Sequence, residues 1–195
     1  MPKTKLLNAI ANQNRGLLAT DTERQAILAA ITELEAYNPY PRPLVDSLDL
    51  LAGNWRLLYT SSQSLLGIDR IPLIQLGEIY QCLRMENNTL YNIAEVNNFL
   101  PGLNGIVSVI ASFEPVNERR VKVRFTRSIV GLKSLLKYQS PDDFITAIES
   151  GKKFTAIDLP INNQNQDAWV EITYLDDNLR IGRGNEGNVF VLVRV

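Results

Sequence analysis

The chain has 195 residues, 20 basic and 21 acidic, with no histidine and a formal charge of −1, enough for one domain burying roughly 70% of its unfolded surface. The balanced charge leaves no electrostatic footprint for nucleic acid. The missing histidine removes Ser-His-Asp, Cys-His and His-ligated metal sites together, and Cys82, the single cysteine, excludes a disulfide framework and reads as a buried thiol.

Residues 3–13 carry a short apolar stripe, Leu6, Leu7 and Ile10, and predict a helix ending by Arg15-Gly16. Thr20 followed by Glu23 is a capping-box pattern, after which Ile27, Leu28, Ile31 and Leu34 recur at helical spacing until Asn38-Pro39. Pro39, Pro41 and Pro43 then impose an extended connector. The expected division is a helical region with this connector over 1–43 and a β domain over 44–195, in separate layers.

Gly53 and Asn54 break the preceding pattern, and Trp55, Leu57 and Tyr59 alternate with Arg56, Leu58 and Thr60 as a strand does. Residues 63–76 crowd apolar side chains around Gly67 and Pro72, too apolar for an exposed loop and too broken for a regular element. A lid over a barrel mouth is the expectation there.

Strands follow at 77–85 and 89–96 around the Glu86-Asn87-Asn88 turn, then at 106–113 and 119–129. Asn87-Asn88-Thr89 matches a glycosylation sequon and is read as a turn. Val121, Val123 and Phe125 alternate cleanly with Lys122, Arg124 and Thr126, one face packed and the other wet. After an apolar patch at 132–136, Ser140-Pro141-Asp142-Asp143 opens a short helix with its cap, N1 proline and acidic first turn, closed near Gly151. Residues 162–167 read as a polar loop, and strands at 168–175, 178–183 and 188–195 finish the chain. About eight mostly antiparallel strands after helices predict a mainly β fold, an eight-stranded antiparallel barrel with an N-terminal helical region, wide enough for packed side chains or one small ligand.

No membrane span is predicted: the longest charge-free stretch, 96–113, holds three asparagines and Pro101-Gly102. The first residues show neither a signal h-region nor an Arg-rich transit segment, so a cytosolic or already processed chain is expected. Asp142-Asp143 sits in a helix's first turn and Asp176-Asp177 at a hairpin, both structural positions. The run from Gly182 to Gly187 spells G-x-G-x-x-G, but only eight residues follow and they read as a strand, so a hairpin turn is expected rather than a dinucleotide site. No cofactor is implied.

Arg119, Arg120, Lys122, Arg124, Arg127, Lys133 and Lys137 form an acid-free basic run. By alternation Arg120, Lys122 and Arg124 share an outward face, either merely solvated or a weak, salt-sensitive contact for an anionic membrane. The inward parity set is Trp55, Leu57, Tyr59, Ile79, Val123 and Phe125, joined by Ile172, Tyr174 and Phe190. These side chains should line an apolar ligand cavity, with Arg127 meeting a polar head, or else simply pack against one another.

Residues 173–194, TYLDDNLRIGRGNEGNVFVLVR, together with LAGNWRLLYTSS at 51–62 and GEIYQ at 77–81, resemble the plastid lipid-associated protein family, the fibrillins or plastoglobulins of plastids and cyanobacteria. The resemblance covers about 50–195, with Gly53 and Trp55 matching one signature and Tyr174, Leu175, Asp176, Leu179, Arg180, Arg183 and Gly184 another. It implies a lipocalin-like barrel that binds a hydrophobic small molecule (lipid, isoprenoid, carotenoid or quinone), associates peripherally with thylakoid or lipid-globule membranes, and has no catalytic residue set. Gly53-x-Trp55 also resembles the lipocalin motif, which implies barrel closure by Gly53, Trp55 and an arginine, Arg180 first and Arg194 second. Without a transit segment, a cyanobacterial protein on the cytoplasmic side of the thylakoid or in the cytoplasm, or a processed plastid chain, is the simpler expectation. Two rivals stay open: a coat protein with a filled barrel, and a chromophore lyase in which Glu95 or Asp176 would serve.

Overall fold

A computed structural model describes residues 1–62, 74–100, 102–162 and 168–195. Helices α1 (Pro2–Ile10) and α2 (Asp21–Glu35) come first. The capping box on α2 is fully formed: the Thr20 hydroxyl accepts from the Glu23 amide while the Glu23 carboxylate accepts from the Thr20 amide, worth about 1 kcal/mol. Two single turns, α3 (Pro43–Asp46) and α4 (Leu48–Leu51), follow the proline connector and lead into the first strand.

The strands are β1 (Gly53–Thr60), β2 (Ile74–Arg84), β3 (Thr89–Asn98), β4 (Gly105–Pro115), β5 (Arg120–Leu132), β6 (Ile157–Pro160), β7 (Ala168–Leu175), β8 (Leu179–Gly184) and β9 (Val189–Arg194). Helices α5 (Lys133–Leu136) and α6 (Pro141–Glu149) separate β5 from β6. Ser140 caps α6 as its sequence predicts, accepting from the Asp143 amide.

The antiparallel sheet runs β4-β3-β2-β1-β9-β8-β7-β5-β6 and β4 also pairs with β5, so eight strands close into a barrel. β6 stands outside that ring and was not foreseen. β5 is long enough to pair with β7 through Arg120 to Val123 and with β6 through Arg127 to Val130.

Three apolar clusters follow from this geometry. The first fills the barrel, with Trp55, Leu57, Ile79, Phe113, Val123 and Ile172 among its members. The second joins Leu6 and Ile10 of α1 and Ile27, Ile31 and Leu34 of α2 to the outer faces of β1, β7, β8 and β9. The third seats Phe144, Ile145 and Ile148 of α6 on Cys82, Tyr91, Ile93, Ile106 and Ile129. Much of the barrel wall is therefore buried on both sides, which hides the simple alternation expected of a half-wet sheet.

The predicted lid at 65–76 falls mostly in 63–73, and most of the predicted polar loop at 162–167 falls in 163–167; both lie outside the described residues.

Because α2 closes a core shared with the strands, Ile31→Ala, at a fully buried position, is expected to cost about 2–5 kcal/mol. Urea unfolding followed by far-ultraviolet circular dichroism and by tryptophan fluorescence should shift together. Loss of helical signal at lower urea, with the tryptophan transition unmoved, would show the helices to be independent of the barrel.

Candidate functional site

One end of the barrel is built around Trp55. Gly53, where α4 meets β1, has φ +113, and a Cβ there would lie 3.1 Å from Arg194 Nη1. Only glycine combines that backbone with that approach. The Trp55 indole N–H donates to the Leu51 carbonyl at 2.9 Å, and two guanidinium groups lie over its ring, Arg194 at 4.6 Å and Arg180 at 5.0 Å from the centroid. Arg194 also donates to the carbonyls of Leu50 and Ala52, at the end of α4, and of Asp177 in the β7–β8 turn. It ties the connector, the hairpin and β9 to one indole, while Arg180 faces the interior.

A cavity of about 40 Å³ opens inside the barrel, walled by Leu44, Leu83, Met85, Leu90, Phe113, Val121, Val123, Val170, Ile172, Phe190 and Leu192, with Gln81 and Arg180 as its polar members and Gly182 adding none. These residues belong to the β2–β3 turn end and the barrel's middle, the far end from Leu76, where the mouth was expected. Leu57, Leu76, Ile79, Phe125 and Val107 fill that other half.

Of the predicted lining set, Val123, Ile172 and Phe190 reach the cavity wall, and Trp55, Leu57, Ile79 and Phe125 pack in the same interior cluster. Three residues point elsewhere, each beyond a register shift. In β1 the shift between Leu57 and Tyr59 turns Tyr59 outward under the N-terminal helices. In β7 the shift between Ile172 and Tyr174 does the same to Tyr174, whose hydroxyl donates to Asp176 at 2.7 Å. In β5 Phe125 opposes Ala111 but Arg127 opposes Ile110, so Thr126 is the extra residue and Arg127 leaves the interior. Its guanidinium makes a double hydrogen bond to Asp158 of β6, at 2.8 and 2.6 Å. That pairing holds the Asp158 carboxyl below its ordinary pKa. A β-bulge resets the two-residue period, and parity counted from one strand end fails at the other.

Four of the seven residues of the basic run are held in ion pairs, with three carboxylates between them. Arg119 and Arg120 both pair with Glu171, Lys133 pairs with Glu95, and Arg120 also lies 4.2 Å over the Trp169 ring. Of the predicted membrane face, Arg120 is thus half-buried and engaged, while Lys122 and Arg124 are exposed and, among the described residues, form no ion pair.

Glu95 is held by Lys133 and by the Tyr138 hydroxyl, a pin between β3 and α5. Burial raises the pKa of Asp176, but Lys3, Tyr174 and the amides of Asn178 and Leu179 outweigh it and leave the carboxyl below its ordinary value. Both acids offered to the lyase reading are thus committed to structural partners. Arg183 forms a two-pronged pair with Glu35 at 2.8 Å in each arm, clamping α2 to β8. The Gly182 to Gly187 run leaves β8 through a 3-10 turn into β9, with no helix to meet a pyrophosphate. Gln81 was the polar cavity residue missed, although it lies two residues from Ile79 on the same face and inside the GEIYQ run.

Two measurements check this geometry. Burial pushes the Cys82 thiol up to about 12, so a disulfide reagent at pH 8 should leave the native chain unmodified and label one thiol in guanidinium. A double-mutant cycle with Trp55→Leu and Arg194→Met should show coupling of about 0.5–2 kcal/mol; additive losses would reject the stacking.

The PAP_fibrillin family profile matches residues 1–193, so the match includes the N-terminal helices that the sequence motifs alone left out. The "Light-induced protein, chloroplastic" of Solanum tuberosum is 33% identical over 98% of this chain and 66% of its own length. For the "Chromoplast-specific carotenoid-associated protein C1, chromoplastic" of an Oncidium hybrid cultivar the figures are 34%, 98% and 68%, and for the "Plastid-lipid-associated protein, chloroplastic" of Citrus unshiu 31%, 98% and 67%. The chain spans about two thirds of the length of these curated relatives. No solved structure matches at a significant level. From its first helix to its last strand, the chain belongs to the PAP_fibrillin family.

Proposed function

We propose that this chain is a non-catalytic, lipid-associated protein whose barrel takes part of one hydrophobic small molecule and whose surface makes a weak, peripheral contact with a thylakoid or lipid-globule membrane. The observation that carries the reading is the apolar cavity beneath the Trp55 end. The names of relatives, plastid-lipid-associated and carotenoid-associated, agree with it. No helix among the described residues is long and apolar enough to cross a membrane; the proposed contact is one made by surface groups. Lys122 and Arg124 remain for it, at about 1 kcal/mol each near anionic lipid.

One observation favours the coat-protein reading. About 40 Å³ is far below the roughly 300–1,000 Å³ that encloses a drug-sized ligand, so a whole carotenoid does not fit the barrel as it stands. Phe99, Leu100 and Leu103, between β3 and β4, are 73%, 53% and 42% exposed, and would serve a protein that coats lipid from outside.

Titration with a short-chain quinone separates the two. A carrier should show tryptophan quenching that saturates at one quinone per chain, while linear, unsaturable quenching with vesicle binding retained would leave the coat reading. Flotation should show binding to anionic vesicles that falls steeply near 0.5 M salt and weakens further in Lys122→Glu/Arg124→Glu. Equal binding to neutral vesicles would remove the electrostatic contact and direct attention to Phe99, Leu100 and Leu103.

A further inference from the structure

The cavity has one charged wall. Arg180 sits on the inward face of β8 and is only 5% exposed. One of its five N–H donors goes to Gln81 Oε1 at 2.6 Å, and its guanidinium carbon lies over Trp55. Among the described residues no carboxylate pairs with it; Cys82, the first of the groups acting on it, is a thiol that burial keeps protonated at neutral pH, and Arg194, the next, carries the same sign. Burial pulls its pKa down to about 9, so it still holds its proton at neutral pH.

A buried cation is ordinarily matched by an anion, because water's solvation has been removed and nothing else replaces it. Three partly buried arginines of the barrel wall show that habit: Arg127 has Asp158, Arg183 has Glu35 and Arg120 has Glu171. Arg180 breaks it, and an enclosed space adjoins its guanidinium. Two residues along the same inward face, Gly182 adds no side chain to the cavity wall, and a Cβ there would lie 3.2 Å from Val170 Cγ1. The remaining walls, Leu83, Leu90, Phe113 and Phe190, are apolar.

We propose that Arg180 receives the single carboxylate head of a long-chain amphiphile of the fatty-acid class, with the chain leaving past Leu44, Met85 and Phe113. This rests on the reading of the barrel as a ligand site and names the chemistry of its polar end. A planar carboxylate matches the fork of a guanidinium. The volume, about 40 Å³, is room for a few water-sized groups, which suits a two-oxygen head. Gln81 accepts from one arm of the guanidinium and leaves the other donors for the ligand.

The test uses the full chain freed of co-purified lipid, with oleate, methyl oleate and oleyl alcohol as probes in a calorimetric or tryptophan-quenching titration. Oleate should bind at one per chain and at least tenfold more tightly than either neutral analogue. Arg180→Met should remove that preference, and Arg180→Lys should keep part of it. The carboxyl resonance of bound oleate labelled with carbon-13 should stay in its ionised position from pH 8 to pH 5. Equal affinity for the three probes, or a bound carboxyl that titrates as it does in vesicles, overturns the carboxylate assignment and leaves the barrel-ligand reading standing. Saturable binding of none of them overturns both. Should Arg180→Met fail to fold, the analogue series and the resonance on the unaltered chain decide the matter.

Discussion

The β-bulges are the constraint on which the remaining structure depends. In β1, β2, β5 and β7 the register shifts within the strand. In three of these strands residues facing the interior at one end are followed by residues facing out at the other. Tyr59 and Tyr174 are thereby delivered to the outer surface beside Leu179, Ile181, Val189 and Val191. An apolar face of that size needs cover, and α1 and α2 supply it. The N-terminal helices are thus a consequence of barrel geometry.

Polar contacts hold the layers in place. Glu35 at the end of α2 accepts from Arg183 and from the hydroxyl of Thr173, the extra residue of the β7 bulge. Asn38 donates to the Thr173 carbonyl and accepts from the Leu175 amide. The bulge that turns Tyr174 outward is therefore secured by the helix that Tyr174 packs beneath. Asp176 repeats the pattern in the next turn, joining Lys3 to two backbone amides of the hairpin. Signature residues such as Asp176 and Arg183 accordingly report how the fold is pinned, whereas Arg180, in the same signature, faces the cavity.

Local chemistry was the legible part of the sequence. The Thr20 capping box, the Ser140 cap and the alternation of Val121, Val123 and Phe125 each reside in a few neighbouring residues, and each is found as read. Barrel closure follows from strand number. What escaped was long-range. Nothing adjacent to Leu58, Thr126 or Thr173 marks it as an extra residue, since each extra residue is defined by the partner strand. β6 escaped because Ile157 to Pro160 is four residues long and ends in proline. Gln81 was passed over because a lone glutamine on an otherwise apolar strand face reads as surface until its facing arginine is known.

The circumference of the barrel has two short links. β4 and β5 pair over eleven positions, whereas β1 and β2 pair over four, Gly53 to Arg56, and β5 and β7 over four, Arg120 to Val123. Around the second link Arg119 and Arg120 both reach Glu171, and Arg120 covers Trp169. Across the first link Arg56 pairs with Glu78, so at both short ladders part of the hold is between partly exposed charges, which salt screens. Ionic strength therefore acts on the hoop as well as on the surface, at the two places where the backbone ladder is shortest.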